Sequence, residues 1–325
     1  MIEEILPQLY RARIPLPDSP LKYLNSYIIK SSPRSLIIDT GFNHEECFKA
    51  ITGAVRELGI DLNQTDFFIT HIHADHLGLV NTIADKTAKI YFNHIEVSDI
   101  NTPNLWWDRL NKFSGAYGFP KAELEKLFDA HPASKYHSKT IPEFTILKDG
   151  DLLEVGDYTF RCIETPGHSA GHLCLYEAKH KLLISGDHIL GDITPNITTR
   201  FVAGENVLGE YIRSLDKVYP LDVELVLPGH RNLLTDMKKR ISDLKQHHEA
   251  RAIEQLRILE KGNQDAYQVT GQMTWDMEYT NWEKLPAFQK YFAFAEAVSH
   301  LQYLESLGKV RGNMLPDGKI VYSLV

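Results

Sequence analysis

Cysteine is scarce: Cys47, Cys162 and Cys174 are the three in 325 residues, and no two share a Cys-x-x-Cys spacing. An odd, scattered set encodes neither a disulfide framework nor a thiolate zinc knuckle, and it suits the cytoplasm. Long apolar runs are also missing. No stretch approaches the ~18 consecutive apolar residues of a membrane span. The segment "MIEEILPQLYRARIP" lacks the basic-then-apolar layout of a signal peptide, so a soluble protein without a membrane partner is expected. Positive charge is in deficit: 35 Lys+Arg against 43 Asp+Glu give −8. Contact with phosphates requires a basic footprint, so this balance argues against a general binder of nucleic acid or anionic membranes. The chain contains no Gly-rich phosphate cradle, which removes support for a nucleotide-binding loop.

What is present suffices for one large domain and a smaller one: 43% of residues are hydrophobic and 24% charged. Through about residue 230, short apolar strands alternate with helices. "SYIIKSSPRSLIIDTG" reads as two strands around a Ser-Pro turn. "NHEECFKAITGAVRELGI" follows as a helix that Asn43 can cap, with Phe48, Ile51, Val55 and Leu58 at helical spacing. Further strands are expected at 67–70, 89–92, 159–163, 173–177, 181–185 and 224–227. Strands interleaved with helices imply an α/β layered domain.

Chemistry concentrates at the strand ends. "ITHIHADHLGLV" places His71, His73, Asp75 and His76 within six residues, "ETPGHSAGH" offers His168, "SGDHIL" offers Asp187, and "PGH" offers His230. Rigid strands fix such side chains while short loops turn them toward one point, which is what a metal site needs. In the tight loop, His71 and His73 can face one ion while Asp75 and His76 face a neighbour. Nitrogen and oxygen donors without sulfur suit zinc, with iron or manganese as alternatives.

The ordered set "THIHADH", "TPGHSAGH", "SGDH" and "PGH" resembles the metallo-β-lactamase superfamily over roughly residues 20 to 235. The resemblance implies an αββα four-layer sandwich with two divalent metal ions at one edge. It assigns His71, His73 and His168 to the first metal, Asp75, His76 and His230 to the second, and Asp187 to both. An aspartate, rather than a cysteine, at position 187 is similar to the glyoxalase II-like branch and makes antibiotic hydrolysis unexpected. A histidine at 73, where flavodiiron oxidoreductases typically carry Glu, favours hydrolysis over redox chemistry. Two adjacent cations lower the pKa of a shared water from 15.7 toward about 7. A metal-dependent hydrolase acting through a bridging hydroxide on a thioester, ester or lactone is therefore expected, with Asp75 orienting the water or accepting its proton. Asp39, in "LIIDTG", is expected to hold a ligand imidazole from behind. His172 and His188, each within four residues of an expected ligand, are candidates for the same role or for the pocket wall. The remaining histidines, among them His44, His94, His131, His137, His180, His247, His248 and His300, are expected to be structural.

Two segments depart from the core pattern. An insertion over about residues 96–145 reads as a helical pair with a Gly-rich joint. Trp106, Trp107 and Tyr117 within it are candidate walls for an acyl group. After His230 the charge changes: residues 231–325 carry 13 basic against 12 acidic side chains, whereas the first 230 carry 22 against 31. The order helix, helix, helix, hairpin at 241–325, with its Pro-Asp-Gly turn, resembles a winged helix beside a 1–240 catalytic domain. That layout is similar to the mitochondrial lactamase-like endoribonuclease, so cleavage of RNA is the alternative function. Its third helix, however, carries only Lys290 as a base and adds Glu296 and Glu305, which disfavours a nucleic-acid partner. A small-molecule substrate is expected instead, with the tail closing one rim of the pocket or making a homodimer contact.

Overall fold

The computed structural model describes residues 2–100, 103–130, 136, 141–200, 202, 204–275 and 282–325; the side chains of residues 99, 103–107 and 128–130 are outside that description. Seven strands form the first sheet in sequence order: β1 (Ile2–Leu6), β2 (Leu9–Pro15), β3 (Tyr23–Ile29), β4 (Ser35–Ile38), β5 (Thr65–Phe68), β6 (Ile90–Asn93) and β7 (Thr145–Leu147). β1 to β4 pair antiparallel and β4 to β7 parallel, so the sheet is mixed. The second sheet contains β8 (Leu152–Val155), β9 (Tyr158–Glu164), β10 (Leu173–Glu177), β11 (Leu182–Gly186) and β12 (Leu225–Pro228), in the order β12-β11-β10-β9-β8.

Burial follows the period of the strands. One face of each sheet, Tyr27, Ile29, Leu36, Ile38 and Phe68 on the first and Phe160, Cys162, Leu175, Leu182 and Leu227 on the second, meets in a shared apolar layer. The opposite face of the first sheet, including Ile14, Ile28, Ile37 and Phe67, is covered by Cys47, Ile51, Ala54 and Val55 of the helix Glu45–Glu57. The opposite face of the second is covered by Val207, Tyr211, Leu215 and Val218 of the helix Val207–Val218, and by Met237, Ile241 and Leu244 of the helix Met237–Leu259. The result is helix, sheet, sheet, helix, as the α/β reading required.

Several expectations need correction. The helix at 45–57 is capped by His44, whose side chain accepts from the Glu46 N–H, and not by Asn43; Phe48 points outward at 39% exposure. β1, β2, β7 and β8 fell outside the strands read from the sequence. β1 and β8 lie at sheet edges; β1 has no buried residue and β8 alternates exposed with buried ones, so both lack the apolar run that marks a central strand. The insertion holds the expected pair, Pro103–Ala116 and Lys121–Ala130, preceded by a third helix, His94–Ile100.

A second core lies outside the sandwich. Leu110, Phe113, Tyr117, Phe119, Leu124 and Leu127 of the insertion pack with Val269, Tyr291, Phe294, Val298, Leu301 and Tyr322 of the tail. The tail runs helix Met237–Leu259, short strand β13 (Gln264–Asp265), helix Ala266–Gln272, helix Ala287–Ser306, then the hairpin β14 (Val310–Met314) and β15 (Ile320–Leu324). The division expected at 240/241 falls inside the unbroken helix Met237–Leu259. Its first half packs on the sandwich, while Ala252, Ile258 and Leu259 belong to the helical core. Among the described residues no helix is long and apolar enough to cross a membrane.

Candidate metal centre

β9, β11 and β12 run in one direction, because β10 lies antiparallel to β9 and β11 while β11 and β12 are parallel. Their C-terminal ends deliver His168, Asp187 and His230. β4 and β5, also parallel, deliver Asp39 and the loop of His71, His73, Asp75 and His76. The sheets are tied together where these loops meet. Asn25 Nδ2 donates to the Pro228 and Arg231 carbonyls at 3.0 and 2.9 Å, Tyr27 Oη donates to Pro228 O at 2.8 Å, and Leu173 N–H donates to Thr70 O at 2.9 Å.

At this edge the donors fall into overlapping groups whose ligand atoms lie within 4.8 Å of one another: His71, His73 and His168; His71, His76 and Asp187; and Asp75, His76 and His230. In the first, His73 Nδ1 lies 2.9 Å from both His71 Nε2 and His168 Nε2. Asp187 reaches both sides. Its Oδ2 is 3.6 Å from His168 Nε2 and 3.4 Å from His230 Nε2, and its Oδ1 is 3.6 Å from His76 Nε2. Asp75 Oδ2 is 3.3 Å from His230 Nε2.

The far ring nitrogens are already held. His168 Nδ1 donates to Asn196 O at 2.9 Å, His230 Nδ1 to Tyr23 O at 3.0 Å, His71 Nδ1 to Thr70 Oγ1 at 3.0 Å, and His76 Nδ1 to Asp39 Oδ2 at 2.7 Å. Each bond fixes the tautomer that leaves a lone pair on the inward nitrogen. Asp39 does more than hold His76: it also accepts from Thr70 N–H and Thr70 Oγ1, both at 2.9 Å. It stands in the left-handed region at φ 58, a conformation that aspartate tolerates better than most residues.

His172 and His188 are both fully buried, but differently placed. His172 Nε2 accepts from the Asp187 backbone N–H at 3.1 Å and its Nδ1 meets Thr165 Oγ1 at 2.8 Å, so it braces the loop of Asp187. The His188 ring packs against Tyr211, at 5.4 Å between centroids, and 6.1 Å from His172. Of the aromatic candidates, Tyr117 lies in the helical core against Phe113 and Tyr322, with its hydroxyl accepting from Gln302 Nε2. The structure thus places it in packing rather than with the histidines and aspartates. Trp106 and Trp107 lie on the helix Pro103–Ala116 but their side chains, like His131 and His137, are outside the described residues. Sequence reasoning missed Thr70, Asn196 as a backbone acceptor, and Glu96, which accepts from Gly171 N–H at 3.0 Å and shapes the turn after His168. Thr70 adjoins His71 in sequence and was findable; Glu96 sits 75 residues from its partner and was not.

The electrostatics divide the site. Burial, helped by neighbouring imidazoles, lowers His71 well below the ordinary histidine value and His73 to about 3, so both are neutral. Burial also opposes charge on His76 and His230, but Asp39, Asp187 and Asp75 outweigh it, raising His76 well above the usual range and His230 to about 10. Asp75 and Asp187 would be penalised by burial too. The facing His76 and His230 lower Asp75 to about 2 and hold Asp187 well below the ordinary carboxylate range.

The residues fit divalent cations on structural grounds. His76 Nε2, His230 Nε2 and Asp187 Oδ1 are buried without a hydrogen-bond partner, and buried polar atoms left unpaired carry a large desolvation penalty. Gly229 keeps the space open, since a Cβ there would lie 2.5 Å from Asp187 Oδ1 and 2.9 Å from His76 Cε1. Gly186, at φ 47, is equally constrained: a Cβ would lie 2.7 Å from His172 Nε2. Divalent cations held here would displace the protons that His76 and His230 otherwise carry on Nε2. Beside the His168 loop lies a cavity of about 430 Å³ whose lining includes Ile95, Pro166, Ala170, Arg213 and Lys217. Arg200, also at its wall, is engaged by Glu210 at 2.6 Å and Glu205 at 3.4 Å.

Comparison with known proteins agrees with this geometry. The model of the metallo-beta-lactamase superfamily matches residues 21–230. The probable metallo-hydrolase YqjP of Bacillus subtilis is 27% identical over 294 residues, covering 86% of this chain and 87% of that protein. The crystal structure of a metallo-beta-lactamase family protein from Thermus thermophilus superposes with a TM-score of 0.80 at 26% identity, covering 99% of this chain and all of that one. An atrochrysone carboxyl ACP thioesterase of Emericella nidulans is 24% identical over 74% of this chain, which spans 61% of that relative.

Proposed function

The chain belongs to the metallo-beta-lactamase superfamily, and on that premise we propose that it is a dinuclear metal-dependent hydrolase of a thioester, ester or lactone, from the glyoxalase II-like branch. The observation that carries the reading is Asp187: one carboxylate within 3.6 Å of His168 on one side and of His76 and His230 on the other, with Oδ1 otherwise unpaired. His71, His73 and His168 would hold the first ion, Asp75, His76 and His230 the second, and Asp187 both. Two divalent ions there, zinc foremost and iron or manganese as alternatives, supply an acidified water and an electrophilic hold on the carbonyl oxygen.

The protein's own groups do the rest. Asp75, ionised and 14% exposed at its side chain, orients the attacking water or takes up its proton. Asp39 and Thr70 lock His71 and His76, and His172 holds the Asp187 main chain, so the donors need no rearrangement when charge develops on the substrate. As the carbonyl carbon gains the water oxygen, its bond to sulfur or oxygen breaks and the proton passes to the departing thiol or alcohol. The thioesterase among the relatives supports an acyl-thioester as the first substrate class to test.

We read the tail as a winged-helix-like unit from its order of helix, short strand, two helices and hairpin. Phosphodiester cleavage takes second place, because Lys290 is 3% exposed and paired with Glu123 at 3.3 Å, which leaves no free cation on that helix for phosphate. The deciding assay is hydrolysis of acyl-thioesters, acylglutathione and acyl-CoA among them, by zinc-loaded protein, with single-stranded RNA in parallel. Thioester turnover that falls to background in Asp187→Ala is expected. Turnover of RNA alone would overturn the substrate class, and full activity with two ions in Asp187→Ala would overturn the bridging role.

A further inference from the structure

His168 differs from the other histidines in what holds it. The acceptor of its Nδ1–H is the carbonyl of Asn196, in the loop that runs from β11 to the helix Val207–Val218, whose described residues form no helix or strand. A loop of that length has no ladder to fix it, so its rigidity must come from outside. The structure shows where: the C-terminal helices. Arg240 donates to the Leu190 and Ile193 carbonyls at 2.6 and 2.7 Å, Asn206 Nδ2 donates to Ser306 Oγ at 2.9 Å, and in the middle Asn196 Nδ2 donates to Glu296 Oε2 at 3.1 Å.

Glu296 is 9% exposed, on a 20-residue helix, and its own backbone carbonyl accepts from His300 Nδ1 at 2.9 Å. A carboxylate so buried is unfavourable unless its partners need it. The charge of Arg251 offsets part of that cost, and the hydrogen-bond partner is Asn196, whose main chain orients His168.

We propose that Glu296 is a positioning residue for the metal centre: through the Asn196 side chain it fixes the carbonyl that aims the His168 imidazole at His71 and His73. This rests on the reading of that cluster as a metal site. It extends that reading by placing a determinant of the first ion in the tail, 100 residues from its partner. The hydrogen bond needs only an acceptor at Oε2, so glutamine preserves it and alanine removes it.

Cobalt(II) provides a probe independent of turnover, with the two binding steps followed by visible absorption in wild-type protein, Glu296→Ala, Glu296→Gln, Asn196→Ala and Ser299→Ala. Ser299 is a fully buried neighbour on the same helix, bonded to Ala295 O, and reports the cost of disturbing the helix alone. Glu296→Ala is expected to weaken the first ion by about tenfold, at the lower end of outer-shell losses, and to leave the second unchanged. Glu296→Gln should bind as wild type. Asn196→Ala keeps its main-chain carbonyl and should match Glu296→Ala, with the double variant no weaker than either; it carries the test alone should Glu296→Ala not fold. Equal loss of both ions, or cobalt binding in Glu296→Ala that matches Ser299→Ala, would overturn the proposal. Wild-type protein that binds no cobalt would instead overturn the metal reading beneath it.

Discussion

Two clusters of buried histidine occupy this molecule, and they are built to opposite ends. At the strand-end edge, His76 and His230 each spend one nitrogen on an acceptor and leave the other unpaired beside carboxylates. In the helical tail, His300 Nε2 and His248 Nδ1 meet at 3.1 Å, His300 Nδ1 donates to Glu296 O, and among the described residues no carboxylate faces the rings within hydrogen-bond reach. Burial acts on both clusters alike. It wins in the tail, where His248 lies well below its ordinary value and His300 falls to about 4. At the edge it loses on His76 and His230 because Asp39, Asp75 and Asp187 surround them. A buried histidine is thus a candidate ligand when its inward nitrogen converges with others beside acidic oxygen, and packing when no carboxylate stands within reach of its ring.

The comparison implies that the two regions fail separately, which the largest expected effect tests. Phe294 is fully buried at the centre of the helical core. Phe294→Ala should cost about 3–5 kcal/mol in chemical denaturation while metal content at 25 °C stays at the wild-type level. Loss of metal from protein that remains folded would show that the edge depends on the core as a whole and not on the few polar tethers described above.

A smaller effect probes the edge in return. Asp39→Asn keeps the size of the side chain but replaces the acceptor facing His76 Nδ1 and Thr70 Oγ1 with an amide that can satisfy fewer of them. Affinity for metal should fall by about 10- to 100-fold, read by competition with a chromophoric chelator. Unchanged affinity would mean that Asp39 only shapes its turn.

Much of this edge was legible in sequence because ligands of one ion must sit on short loops at strand ends, and "THIHADH", "TPGHSAGH", "SGDH" and "PGH" are local words. The layered α/β fold followed from apolar strands between amphipathic helices. What stayed hidden depends on distance along the chain. Nothing near Tyr117 says that its ring packs on Tyr322, nothing near Asn196 names Glu296, and aromatics at helical spacing read the same whether they wall a pocket or a core. The edge strands were missed for a local reason: partly exposed segments such as β1 and β8 carry a weaker signal than the continuous buried runs of β4 and β11.

The histidine pair in the tail gives the smallest effect and the sharpest contrast. Replacing both His248 and His300 by leucine removes donor and acceptor together, so stability at pH 7.5 should change little, whereas His300→Leu alone strands the His248 Nδ1–H and should cost about 1–3 kcal/mol. Acid separates them further. A histidine held near 4 when folded and near 6.5 when unfolded binds more protons unfolded, so its neutral burial supports the fold above pH 6.5 and that support drains away as pH falls toward 4. Wild-type protein should therefore lose stability across that window faster than the double leucine variant, with metal content compared at each pH to keep the edge histidines out of the difference. Parallel pH profiles would mean that these two rings are paired with something more acidic than each other, and the contrast between the clusters would dissolve.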